Sequence, residues 1–151
     1  MSIHATLNEV LVRLFRNINA IEESVIKQNE YQNITTNDMH VIEAIGMKEP
    51  KNMTTVARSL MVTTGTLTIA VNGLVKKGFV ERTRSEEDRR VVLVSLTDKG
   101  REVYVSHEKF HEEMVSAVTE ELSDEEQAVL EKSLGRLNQF FREKQQSIRQ
   151  K

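Results

Sequence analysis

The sequence predicts a mostly α chain with a small β-hairpin, an α+β architecture, and three observations carry that expectation. Apolar residues recur at alternating spacings of four and three over residues 3–28 and again near the C-terminus, the period of helices that bury one face. Between these stretches, Pro50 and Gly78 punctuate shorter helical segments. Two β-like runs, Phe79 to Thr83 and Val91 to Leu96, flank a charged loop from Arg84 to Arg90.

Each element has a local reason. Residues 3–28 form one long helix whose stripe is Leu7, Leu11, Leu14, Ile18, Ile21 and Val25. The polar stretch 28–36 breaks it, and Thr36 or Asn37 caps a second helix through Gly46 with Met39, Ile42 and Ile45 inward. Residues 54–60 make a short amphipathic helix with Val56, Ala57 and Leu60 on one side. Met61 and Val62 turn the chain, and Thr63 caps the next helix, whose buried stripe is Leu67, Val71, Leu74 and Val75. Its other side carries Thr64, Gly65, Thr68, Asn72 and Lys76, small and hydrogen-bonding with almost no apolar bulk. Gly78 closes that helix as a C′ residue. Thr97 caps a helix from Asp98 to about Glu121, with Val103, Phe110, Met114 and Val118 inward. Ser123 to Glu126 is a capping box opening a last helix to about Gln146, striped by Leu130, Leu134, Leu137 and Phe141, with fraying expected after Ser147.

Helix, turn, helix and hairpin with a basic tip make a winged helix-turn-helix, and its physics suits a reader of double-stranded DNA. A major groove roughly 12 Å wide admits one helix, and short polar residues let that helix approach closely. A hairpin beside it can drop an arginine into the minor groove, where negative potential is concentrated. The candidate DNA-binding residues are Thr54, Thr63, Thr64, Thr66, Thr68, Asn72, Lys76, Arg82, Arg84, Arg89 and Arg90. The net charge of −2 argues against nucleic acid, but its distribution reverses that argument. Residues 51–101 carry +5, against −3 for residues 1–50 and −4 for residues 102–151.

At 151 residues the chain is one domain or one protomer that needs a partner. Residues 1–35 and 102–151 are expected to form a helical dimerisation region interleaved with a DNA-binding lobe, residues 36–101. The terminal stripes hold more apolar surface than the short middle segments can cover, so a homodimer with interlocking terminal helices is expected. A monomer with those helices folded on each other is the alternative. The absence of cysteine excludes thiol catalysis, thiolate metal sites and cysteine-based oxidant sensing. With no signal peptide or long apolar run, the chain is expected to be soluble and cytoplasmic, with no membrane partner.

His107 and His111 lie four apart on one helix, with His40 and the Glu22-Glu23 pair elsewhere. Glu22, His40, His107 and His111 could hold zinc or another transition metal. They could equally be satisfied core histidines or the polar lining of a ligand pocket. No nucleophile or positioned general base completes a catalytic set, so no cofactor and no enzyme activity are expected.

The stretches LMVTTGTLTIAVNGLVKKGFVER and DRRVVLVSLTDKG resemble the MarR family of winged-helix repressors, and the resemblance extends over nearly the whole chain. It implies that Asp88 braces the wing through a neighbouring arginine while Arg84, Arg89 or Arg90 reaches the minor groove. Ser85 departs from the aspartate that many members carry at the wing tip. DMHVIEAIG, VTTGTLT and HEKFHEEM together resemble the FabT-type branch, which represses fatty-acid-synthesis genes in Gram-positive cocci with an acyl chain on acyl carrier protein as corepressor. That resemblance implies an effector pocket built from Ile18, Ile21, Glu22, His40, Ile42, His107, Phe110, His111 and Met114. A zinc-responsive repressor using the histidines and Glu22 is the alternative. A metal-dependent enzyme and a helical interaction module with an incidental basic wing are rivals from other classes.

Overall fold

The computed structural model describes residues 2–28 and 33–150. Among these residues six helices and a three-stranded antiparallel sheet follow one another as α1 (Ile3–Gln28), α2 (Thr36–Ile45), β1 (Lys51–Asn52), α3 (Met53–Leu60), α4 (Thr64–Lys77), β2 (Val80–Arg84), β3 (Val92–Leu96), α5 (Asp98–Thr119) and α6 (Asp124–Arg149). The chain divides into two compact units, residues 1–107 and 108–151. Among the described residues no helix is long and apolar enough to cross a membrane. Part of the polar break expected at 28–36 lies outside the described residues.

The caps explain most of the boundaries in the first unit. The N-cap of α2 is Thr35, not Thr36 or Asn37: its hydroxyl accepts from the Asp38 N–H at 3.1 Å, while the Asp38 carboxylate accepts from the Thr35 N–H at 3.0 Å. That reciprocal capping box satisfies two orphan donors at once, which neither rival cap offers. Asn52 caps α3 and Thr63 caps α4, each accepting from the N–H three residues on. Met61 ends α3 in the left-handed region at φ 56°, a conformation that costs an L-residue roughly 1–2 kcal/mol. Gly78 closes α4 at φ 84°, where glycine carries no such cost.

One strand was not expected. Lys51 and Asn52 pair with Val94 and Leu93, so β3 lies between β1 and β2. Two residues show no periodicity, so only their partner reveals the strand. The hairpin strands β2 and β3 each begin one residue later than expected, with Val80 opposite Leu96 and Arg84 opposite Val92.

The core of this unit gathers Ile26, Ile34, Met39, Ile42, Ile45, Val56, Leu67, Val71, Leu74, Phe79, Val94 and Val103. Val75, expected in the buried stripe of α4, is 36% exposed. It sits at the margin of a face that Leu67, Val71 and Leu74 already fill. Gly100 is buried where α5 crosses the end of α4, and a Cβ there would lie 2.1 Å from the Phe79 carbonyl oxygen. The Thr97 hydroxyl donates to the Gly78 carbonyl at 2.6 Å and accepts from the Gly100 N–H at 3.1 Å. This is the helix cap expected of Thr97.

In the second unit, Ser123 and Glu126 form the expected capping box at the start of α6. The Ser123 N–H and hydroxyl beside Glu126 hold its carboxyl below the usual carboxylate range. α5 ends at Thr119 rather than Glu121, because the Gln127 amide reaches back to the Thr119 and Leu122 carbonyls and closes the turn. α6 runs to Arg149, past the expected stop at Gln146 and the expected fraying. Leu134 and Phe141 of its stripe stay more than half exposed, as does Val118 of α5, which was expected inward. The stripe of α1 is open too, with Leu7, Leu11, Leu14 and Ile21 between 40% and 53% exposed.

Candidate nucleic-acid interface

The candidate interface is built on α4. Leu67, Val71 and Leu74 anchor it, so the opposite face projects Thr64, Thr68, Asn72 and Lys76 into solvent. Thr63, Thr66 and, on α3, Thr54 are also exposed beside it. The hydroxyls are already oriented. Thr63 accepts from the Thr66 N–H at 3.1 Å and bonds the Thr66 hydroxyl at 3.0 Å. Thr68 donates to the Thr64 carbonyl at 2.7 Å, so outward it offers only lone pairs and a methyl group.

The wing follows from β2 and β3. Its tip is closed by the Ser85 N–H on the Val91 carbonyl at 3.0 Å and the Val91 N–H on the Asp88 carbonyl at 2.9 Å. Asp88 takes a two-pronged contact from the Arg90 guanidinium at 3.0 and 3.1 Å and also accepts the Arg90 N–H. These bonds hold the Asp88 carboxyl below the usual carboxylate range. Arg84 donates to the Arg89 carbonyl at 2.9 Å. Arg84 and Arg90 therefore shape the loop, and among the described residues the Arg89 guanidinium has no intrachain partner. A rigid loop presenting one free arginine is the geometry that minor-groove insertion needs.

Arg82, an exposed β2 residue, donates to the Asn72 side-chain oxygen and so joins wing to helix. Sequence reasoning placed both on the DNA side but did not pair them. It also passed over Ile69, which is 75% exposed on α4 and contradicts the expectation of almost no apolar bulk there. Its position off the Leu67–Val71–Leu74 row is the signal that could have found it. Several cations of the basic stretch are structural instead. Lys51 donates to the Ala44 carbonyl at 2.9 Å, Lys77 pairs with Asp38 at 2.8 Å, and Lys99 sits 4.3 Å above the Phe79 ring.

The expected effector residues separate by unit. In the first, Ile42 is fully buried in the core, Ile18 is half-buried and Ile21 is 49% exposed. Glu22 and His107 are buried, and their ligand atoms lie within 4.8 Å of each other. His40 stands 3.8 Å from Glu22, and His107 lies 3.3 Å from Glu43. His40 also borders a cavity of about 130 Å³ lined by Asn37, Val41, Leu60, Val62, Thr66, Leu67 and Ala70. In the second unit Phe110, His111 and Met114 are half-buried, with Phe110 edge-on to His111 at 5.6 Å.

A helix-turn-helix with a braced wing defines a winged-helix transcriptional regulator of the MarR type. A family model described as Transcriptional regulator SarA/Rot matches residues 24–106, and the chain belongs to that family. It is 40% identical to Streptococcus pneumoniae FabT in a crystal structure with DNA, with a TM-score of 0.84 over 93% of this chain and 98% of that one. It is 32% identical over 102 residues to the HTH-type transcriptional regulator PchR of Bacillus subtilis, taking in 66% of this chain and 60% of PchR. It is 30% identical over 112 residues to the transcriptional regulator ZitR of Lactococcus lactis, 72% of this chain and 77% of ZitR. The chain spans about half the length of several curated relatives it matches, as with 43% of SarZ from Staphylococcus saprophyticus.

Proposed function

We propose that the chain is a cytoplasmic repressor that binds a palindromic operator as a homodimer. Its targets are fatty-acid-synthesis genes, and long-chain acyl carrier protein is its corepressor. The observation that carries the DNA part is the pairing of a polar, pre-oriented α4 face with the free Arg89 on a braced wing. The exposed stripes of α1 and α6 supply an apolar surface for a second copy. The target genes and the corepressor rest on the FabT-type resemblance and on 40% identity to S. pneumoniae FabT across 93% of this chain.

One observation favours zinc as the effector instead. Glu22, His40 and His107 bring a carboxylate and two imidazoles into one neighbourhood, a donor set suited to zinc. Titrating operator affinity against each ligand separates the readings. An acyl effector predicts tighter binding with long-chain acyl carrier protein and indifference to chelator. A zinc effector predicts loss of response on chelation and in His107→Ala. No response to either ligand would remove both, and no sequence-specific duplex binding at all would remove the repressor reading.

A further inference from the structure

The Arg82–Asn72 bond has a chemical consequence for what α4 reads. A guanidinium has only donors, so the Asn72 atom it contacts must be the carbonyl oxygen, which settles the orientation of the carboxamide. A free asparagine reads adenine with both ends, its oxygen accepting from N6 and its amide donating to N7. Here Arg82 takes one of the two lone pairs of that oxygen and fixes the carboxamide plane, so the group does not turn freely into the two-ended adenine geometry. Its NH2 is the part left without an intrachain bond among the described residues. Asn72 thereby presents its two N–H donors first, matched to thymine O4 or to guanine O6 and N7.

Ile69 divides those two bases. It lies three residues before Asn72 on the exposed side of α4, and its neighbours one turn either way, Gly65 and Gly73, have no side chains. Around Gly73 a Cβ would meet nothing within 4 Å, and around Gly65 only the Thr63 hydroxyl at 3.9 Å. Ile69 therefore stands alone as an apolar ridge, 75% exposed, on an otherwise polar face. In the major groove the apolar feature of a base edge is the thymine 5-methyl, which guanine lacks.

We propose that Arg82 is a positioning residue that fixes Asn72 as a hydrogen-bond donor, and that Asn72 and Ile69 together select thymine in each half-site. This rests on the reading of α4 as the helix that enters a major groove, and it is independent of the target genes and the effector. Both Arg82 and Ile69 are exposed, so their replacement leaves the core untouched.

The test is selection from a random duplex pool by purified wild type, Arg82→Met and Ile69→Ser, followed by binding to the selected site with single thymines replaced by uracil. Wild type should enrich a thymine in each half-site, and uracil there should weaken binding about fivefold. Arg82→Met frees the Asn72 oxygen and should shift the preference at that position toward adenine. Ile69→Ser should erase the difference between thymine and uracil. An Arg82→Met protein that binds all sites more weakly but enriches the same base as wild type overturns the positioning role. Equal binding of thymine and uracil by wild type overturns the role of Ile69. Failure of wild type to enrich any sequence would take down the groove reading itself, a result distinct from both.

Discussion

The lobe from α2 to β3 and the long helices α1 and α6 solve burial in opposite ways. Within the lobe the apolar side chains converge on one core, and polar side chains cap helices or brace the wing. α6 has no buried residue at all, and α1 buries only Glu22 and Ile26 among its described residues. Yet both long helices carry regular apolar stripes. The lobe reaches its native packing with one copy of the sequence. The stripes of α1 and α6 stay largely exposed, and burying such surface is worth about 25 cal/mol per Å².

The largest expected effect breaks the second half of that contrast. Leu14→Glu sets a charge in the α1 stripe, where burial without a partner costs several kcal/mol. Light scattering should show monomer or aggregate, and operator affinity should fall about a hundredfold, while an intact DNA-binding dimer would move the seam elsewhere. Gly100→Ala attacks the lobe instead. Its Cβ meets a backbone oxygen that cannot step aside, so urea unfolding should show a loss of about 1–3 kcal/mol. A wild-type midpoint would mean that α5 shifts freely.

Smaller effects sharpen the picture of the wing. Arg89→Ala should weaken operator binding about tenfold and reduce the salt dependence by about one ion. Arg84→Ala should lose less through charge and more through a looser loop, which proton exchange at the Ser85 and Val91 amides would report. Equal losses for both would assign them the same role. Met61→Gly should stabilise the lobe by about 1 kcal/mol by relieving the left-handed backbone, measured by thermal melting. The smallest effect is one of pH. Since the Asp88 carboxyl titrates below its ordinary range, the brace contributes above the unfolded-state value and is lost as pH falls through the folded one. Wing amide shifts should follow that acid-range step in wild type and not in Asp88→Asn.

What could be read from the sequence follows the range of the interaction. The turn at Met61, the caps at Thr63 and Ser123 and the stop at Gly78 depend on residues within four positions, and each was legible. Thr35 was legible too, since Thr35-Thr36-Asn37-Asp38 spells a capping box, but two neighbouring polar residues competed for the role. The pairing of β1 with β3, the Lys77–Asp38 bridge and the Arg82–Asn72 bond join distant positions, and nothing local announces them. The charge count of residues 51–101 gave a net +5 for that stretch. It could not tell the cations that hold the fold from those that face outward.

The joint at Thr97 has a mechanical meaning. One hydroxyl ties the exit of α4 to the entry of α5, and Gly100 removes the clearance that would let them slip. The segment from Asp98 to His107 is then a lever about 15 Å long, clamped at its short end. A displacement of about 1.3 Å at His107 corresponds to a tilt of roughly 5° at the clamp, on the helical rise alone. The buried His107 therefore stands on the same helix as the Thr97 joint, about 15 Å from the point where that joint meets the exit of α4.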